Sequence, residues 1–179
     1  KELGDLEDAK ENLEQALEAD LEVFGPNHPS VATQRSNLAL VQKDLGDLEG
    51  AKKNLEQALE ASLRSLGPDH PSVARDHSNL GMALRDLGDL KGAKESLEQA
   101  LETDLKSLEP DHPNAVAHRA DLALVLQASG DLEGAKELLD KLIADGGDGY
   151  ATRLAQGEVA IAAGDEKSAK LAFEKAASF

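Results

Sequence analysis

A chain of 179 residues that is 40% apolar but only 2% aromatic must build its core mainly from Leu and Ala, which suits helix-on-helix packing better than a β-sandwich. A formal net charge of −16 argues against nucleic acid, whose binding needs clustered Lys and Arg, and against anionic membrane surfaces. Cysteine is absent, which excludes a disulfide framework and a cysteine zinc site and fits a cytoplasmic location, and no apolar run reaches the roughly 18 residues of a membrane-spanning helix.

A fixed period organises the chain. Gly-Asp-Leu recurs at Gly4, Gly46, Gly88 and Gly130, 42 residues apart each time, and Gly-Asp returns 34 residues later at Gly164. Taken in order, residues 1–25 predict a lone second helix, from about Asp5 to Phe24, whose hairpin partner is missing. Hairpin repeats follow over 29–66, 71–108 and 113–145, and a shorter final one occupies 149–178. The whole of 1–179 reads as one array. Because it opens at Lys1 without a Met, it is expected to be an excised fragment, with both ends incomplete.

Within each repeat the apolar spacing is helical. Ala51, Leu55, Ala58, Leu59, Ser62 and Leu63 fall at i, i+4, i+7, i+8, i+11 and i+12, one face of a second helix. Val73, Ala74, Leu80, Ala83, Leu84 and Leu87 mark a first helix. Gly46, Gly88 and Gly130 are placed to take the left-handed conformation that ends a helix. Asp47, Asp89 and Asp131 follow at once and can cap the next helix. The longer connectors read Gly25-Pro26-Asn27-His28-Pro29, Gly67-Pro68-Asp69-His70-Pro71 and Glu109-Pro110-Asp111-His112-Pro113. The second proline of each suits a first helical turn, where its missing N–H costs nothing.

These positions resemble the tetratricopeptide repeat family. Its pattern asks for a small residue in the first helix, Gly at the corner, then Ala, a large apolar residue and Ala. The chain supplies Ala39, Gly46, Ala51, Leu55 and Ala58, then Gly81, Gly88, Ala93, Leu97 and Ala100. The third set is Ala123, Gly130, Ala135 and Leu139, with Leu142 in place of the last Ala, and the final unit reads Gly157, Gly164, Ala169, Phe173 and Ala176. The 42-residue spacing with its Gly-Pro-Asp-His-Pro connector is similar to the kinesin-light-chain type. The resemblance implies an all-α fold, a right-handed α-solenoid of stacked antiparallel helix hairpins. Arg35, Gln42, Arg75 and Leu84 stand where the family often has Trp or Tyr, so thinner packing is expected there.

The resemblance also implies that first helices line a concave face that holds a peptide or protein partner. Candidate contacts are Thr33, Ser36, Asn37, Leu40, Lys43 and Asp44, then Arg75, Ser78, Asn79, Met82, Arg85 and Asp86, then Ala117, Asp121, Leu124 and Gln127. Asn37 and Asn79 match asparagines with which such repeats hold peptide backbone, and an amide that donates and accepts suits that task. The strong acidity belongs to the second helices, whereas charges on the first helices nearly balance. No cofactor is expected. The alternatives are a sensor or regulatory segment of a larger protein, such as a nucleotide-binding switch protein, and a self-assembling module joined through its open ends.

Chemistry finds little support. His28, His70 and His112 recur every 42 residues, but equivalent residues of packed helices stand about 10 Å apart, too far to share a metal, and local bonding in each turn is expected. His77 and His118 lack a companion Cys or Glu at metal spacing. Asp145-Gly146-Gly147-Asp148-Gly149 lacks the spaced ligands of a calcium loop and reads as a shortened connector. Phosphate-loop and nucleophile-elbow motifs are absent, and periodic carboxylates read as a solvated surface, so no enzyme is expected.

Overall fold

The computed structural model describes residues 3–106, 108–109 and 112–179. Pro110 and Asp111, part of the third proline connector, lie outside them. The described residues form helices α1 (Leu3–Phe24), α2 (Pro29–Asp44), α3 (Leu48–Leu66), α4 (Pro71–Asp86), α5 (Leu90–Leu105), α6 (Pro113–Ala128), α7 (Leu132–Ala144), α8 (Tyr150–Ala162) and α9 (Glu166–Ala176), with no strand among them. The fold is all-α, built of helical hairpins. No helix among the described residues is long and apolar enough to cross a membrane.

The corners have a common construction. At Gly46, φ is 86°, its N–H donates to the Lys43 carbonyl, and the Asp47 N–H donates to the Gln42 carbonyl. This pair of bonds satisfies carbonyls that the helix end would otherwise leave bare. Gly88, Gly130 and Gly164 repeat it with φ of 85°, 86° and 75°. Asp47 and Asp131 then cap α3 and α7, accepting from the N–H groups of Gly50 and Gly134 at 2.9 and 3.0 Å. Gly4 differs: it lies inside α1 and does not form a corner.

The proline connectors start the first helices. Pro29, Pro71 and Pro113 each open a helix behind a histidine in extended conformation. His28, His70 and His112 are the caps: each Nδ1 accepts from the backbone N–H two residues on, at 3.2, 3.1 and 3.2 Å. The histidines therefore bond locally, as expected.

The chain divides into two compact units, 1–89 and 90–179. In the first, α1 packs on α2 through Leu17, Val31 and Leu38, flanked by Leu13 and Leu21. Helix α2 packs on α3 through Ala32, Ala58 and Ala61, small side chains that let the axes approach to about 8–10 Å. In the second unit, Leu97, Leu139 and Leu142 are wholly buried, each burial contributing about 1.5–3 kcal/mol. Helices α8 and α9 approach closely at Gly157, where an added Cβ would stand 2.4 Å from Phe173 Cε1.

Where aromatics were missing, polar side chains fill the space. Gln42 is buried, donates to Asp47 and accepts from Asn54 at 2.8 Å. Arg35 donates to Asn54 and Gln57 on α3, and Leu84 is buried. Burial pulls the Arg35 pKa down from its usual value.

Candidate functional site

The first-helix residues singled out above fall in both units. Those on α2 and α4 share the first unit, and those on α6 belong to the second. On α2, Thr33, Asn37, Leu40 and Asp44 are exposed and recur at helical spacing, one open stripe. On α4, Arg75 and Asp86 are exposed while Asn79, Met82 and Arg85 are half-buried.

Two of the candidates are not on the open face. Ser36 and Ser78 are buried. Their register turns them inward, and Ser36 donates to Asp76 Oδ1 at 3.0 Å. Most of the others are partly committed. Thr33 donates to the Pro29 carbonyl at 3.0 Å. Lys43 Nζ and Arg85 converge on Asp86 at 3.5 and 3.0 Å, a link that ties α2 to α4. Arg75 stands 3.5 Å from Asp76. Asn37 and Asn79 differ from these: neither amide makes a hydrogen bond within the described residues.

On α6, Ala117 is exposed, Asp121 and Leu124 are half-buried, and Asp121 is engaged within the chain. Gln127 Nε2 donates to the Glu158 carbonyl of α8 at 3.3 Å.

The polar groups that sequence reasoning missed are buried between helices. Asp76 is wholly buried on α4 and receives Ser62 of α3 at 2.6 Å as well as Ser36 of α2. Forty-two residues on, Asp104 and His118 hold the same two positions, with Asp104 Oδ2 3.0 Å from His118 Nδ1. No hydrogen-bond alignment accompanies that approach, so the pair is a close electrostatic contact. The signal was legible: polar residues recur at a position where the repeat points inward.

The glycine-rich connector is likewise spoken for. Arg119 NH1 reaches Asp145 at 3.1 Å, and Arg153 grips both oxygens of Asp148 at 2.5 and 2.6 Å. The Arg153 hydrogen bond holds Asp148 below the usual carboxylate range. No cluster of three metal-ligating side chains occurs among the described residues.

Tetratricopeptide-repeat profiles match residues 1–62, 31–106 and 78–145. The chain belongs to the tetratricopeptide repeat family. Solved structures similar to this repeat chain include a Podosopora anserina kinesin-light-chain protein with nearly identical TPR-like repeats. It is 26% identical with a TM-score of 0.84, over 98% of this chain and 87% of that one. BtubC from P. vanneervenii is 22% identical with a TM-score of 0.82, over 98% and 73%. A Rap protein complexed with Competence and Sporulation Factor shares the fold at 20% identity and a TM-score of 0.74, over 94% and 47%. No curated protein matches the sequence.

Proposed function

We propose that this tetratricopeptide-repeat chain is a non-catalytic scaffold that holds an extended segment of a protein partner on the exposed face of α2 and α4. The observation that carries this reading is the pair of uncommitted amides, Asn37 and Asn79, at equivalent positions on two linked helices. An extended backbone offers alternating donors and acceptors, and an amide answers both regardless of side-chain sequence. Leu40 and Met82 lie one helical turn further along and supply apolar contact. A catalytic role gains no support from the carboxylates described: Asp76 serves Ser36 and Ser62, Asp145 and Asp148 serve arginines, and Asp47 and Asp131 cap helices.

The test is selection of peptides from a random library on the intact chain, then titration of the best binder. The double substitution Asn37→Ala with Asn79→Ala is expected to weaken it by about tenfold or more, as each lost hydrogen bond contributes about 1 kcal/mol. The melting temperature should stay within about two degrees, both sites being partly solvated. Unchanged affinity rejects this binding mode.

A further inference from the structure

The face of α2 and α4 is laid out in two lanes. Asn37, Leu40 and Asp44 follow one another on α2 at steps of three and four residues, and Asn79, Met82 and Asp86 hold the same places on α4, 42 residues on. In each lane an amide is followed by an apolar side chain and then by the carboxylate on which the helix ends. From Leu40 to Asp44 the axis rises about 6 Å, at about 1.5 Å per residue.

The lanes match in sequence but not in charge. On α4, Arg85 Nε and NH2 donate to Asp86 Oδ1 at 3.3 and 3.0 Å, and Lys43 Nζ stands 3.5 Å from Oδ2, so both oxygens are answered. On α2, Asp44 is exposed and makes no hydrogen bond or ion pair within the described residues. It is the last residue of its helix, where the backbone already carries partial negative charge. The cations of α2 and α4 are engaged elsewhere. Lys43 and Arg85 meet Asp86, and Arg35 donates to Asn54 and Gln57 of α3. Arg75 stands 3.5 Å from wholly buried Asp76, and drawing it away would leave that acid without the cation beside it. Among the described residues of these two helices, the charge left unanswered is therefore the Asp44 carboxylate.

We infer that the α2 lane takes a lysine or arginine side chain of the partner segment. The inference rests on the binding mode proposed above and names the chemistry which that mode selects. The side chain departs from a backbone held at Asn37, lays its apolar stem over Leu40 and brings its charged head to Asp44. Leu40 is 44% exposed, so it offers the stem a surface to cover. The α4 lane has no unanswered charge, and the adaptable thioether of Met82 suits an uncharged side chain there. A net charge of −16 draws cationic segments from a distance in the same sense.

The peptides selected from the random library supply the test. They are expected to be enriched in Lys and Arg, and norleucine in place of the cation of the best binder is expected to weaken it about tenfold in calorimetric titration. Asp44→Asn, close in shape and at an exposed position, is expected to weaken the parent peptide by the same factor, to leave the norleucine analogue unaffected and to keep the melting temperature. Asp44→Lys is expected to turn the selection toward acidic peptides. Enrichment of Asp or Glu by the parent chain, or an undiminished affinity of the cationic peptide for Asp44→Asn, overturns the inference. If Asn37→Ala with Asn79→Ala still weakens the same peptide in that case, the binding mode stands and the cation preference alone falls. If the asparagine pair has no effect, both fall.

Discussion

At the scale of single residues, the chain spends its buried polarity on joining helices. Asp76 is the clearest case, a carboxylate with no exposed surface that accepts from serines on two other helices. Asp76→Ala leaves both hydroxyls buried without an acceptor, so it is expected to cost about 3 kcal/mol, read as a lower urea midpoint. A change under about 1 kcal/mol would mean that the serines find other partners. Its neighbour His77 is half-buried with Nδ1 unbonded, and burial pulls its pKa below the ordinary 6.5, with Asp76 pulling the other way. The unfolded chain then holds a proton more readily than the folded one. The His77 contribution is complete above about pH 6.5 and is lost as pH falls through the folded value. Thermal melts between about pH 7 and 5 should therefore decline less in His77→Gln than in the parent chain. Equal slopes would exclude His77 as a source of acid sensitivity. None of this was foreseen from sequence, where the charges of the first helices read as nearly balanced and Ser36 as a contact residue. Ser36 lies on α2 and Asp76 on α4, where inward and outward faces differ by one position; the recurrence of polar residues at Ser62 and Asp104, and at Asp76 and His118, marks an inward position but not which neighbour answers it.

At the scale of elements, much more was legible, because backbone chemistry is local. The corner glycines adopt positive φ for the reason the Gly-Asp period suggested, and the aspartates and prolines sit where capping physics places them. The histidine caps were readable only as local bonding. Their acceptor role emerges because the preceding turn leaves Nδ1 over the first free N–H groups. Packing between α8 and α9 makes a sharper demand. Gly157 lies against the Phe173 ring, so Gly157→Ala forces the ring to move and is expected to cost about 1–3 kcal/mol. Phe173→Leu in the same chain should recover part of that loss, giving a coupling measurable in a double-mutant cycle by urea denaturation. Additive effects would show that the two sites are not in register. The candidate binding face was legible as a set of positions at helical spacing on α2 and α4, but the links that tie those helices together were not, since Ser36 to Asp76 and Lys43 to Asp86 join residues about 40 apart in sequence.

At the scale of the whole molecule, charge sets the first expectation. With a net charge of −16, self-repulsion opposes the compact state. Raising NaCl from about 20 mM to about 0.3 M shortens the screening length below 10 Å and should raise the melting temperature. The competing effect is the weakening of exposed helical pairs such as Glu60–Arg64, Lys94–Glu98 and Lys170–Glu174. Such pairs contribute only about 0.3–0.5 kcal/mol each, so repulsion should dominate. A fall in melting temperature with salt would reverse that ranking.

Near-identical hairpins carry a hazard of their own: a helix can nest against the wrong sibling, within one chain or between two. The buried pairs guard against it because they are not interchangeable. Ser62 answers Asp76, whereas Asp104 answers His118. If α4 met the α5 of a second copy with the face it offers α3, Asp76 would face Asp104 out of water, like charges with no hydroxyl to answer them. The reverse error would leave Ser62 opposite His118 and Asp76 without its hydroxyl. The two helix contacts thus carry different pairings at equivalent positions, and neither helix of one pair suits the partner of the other.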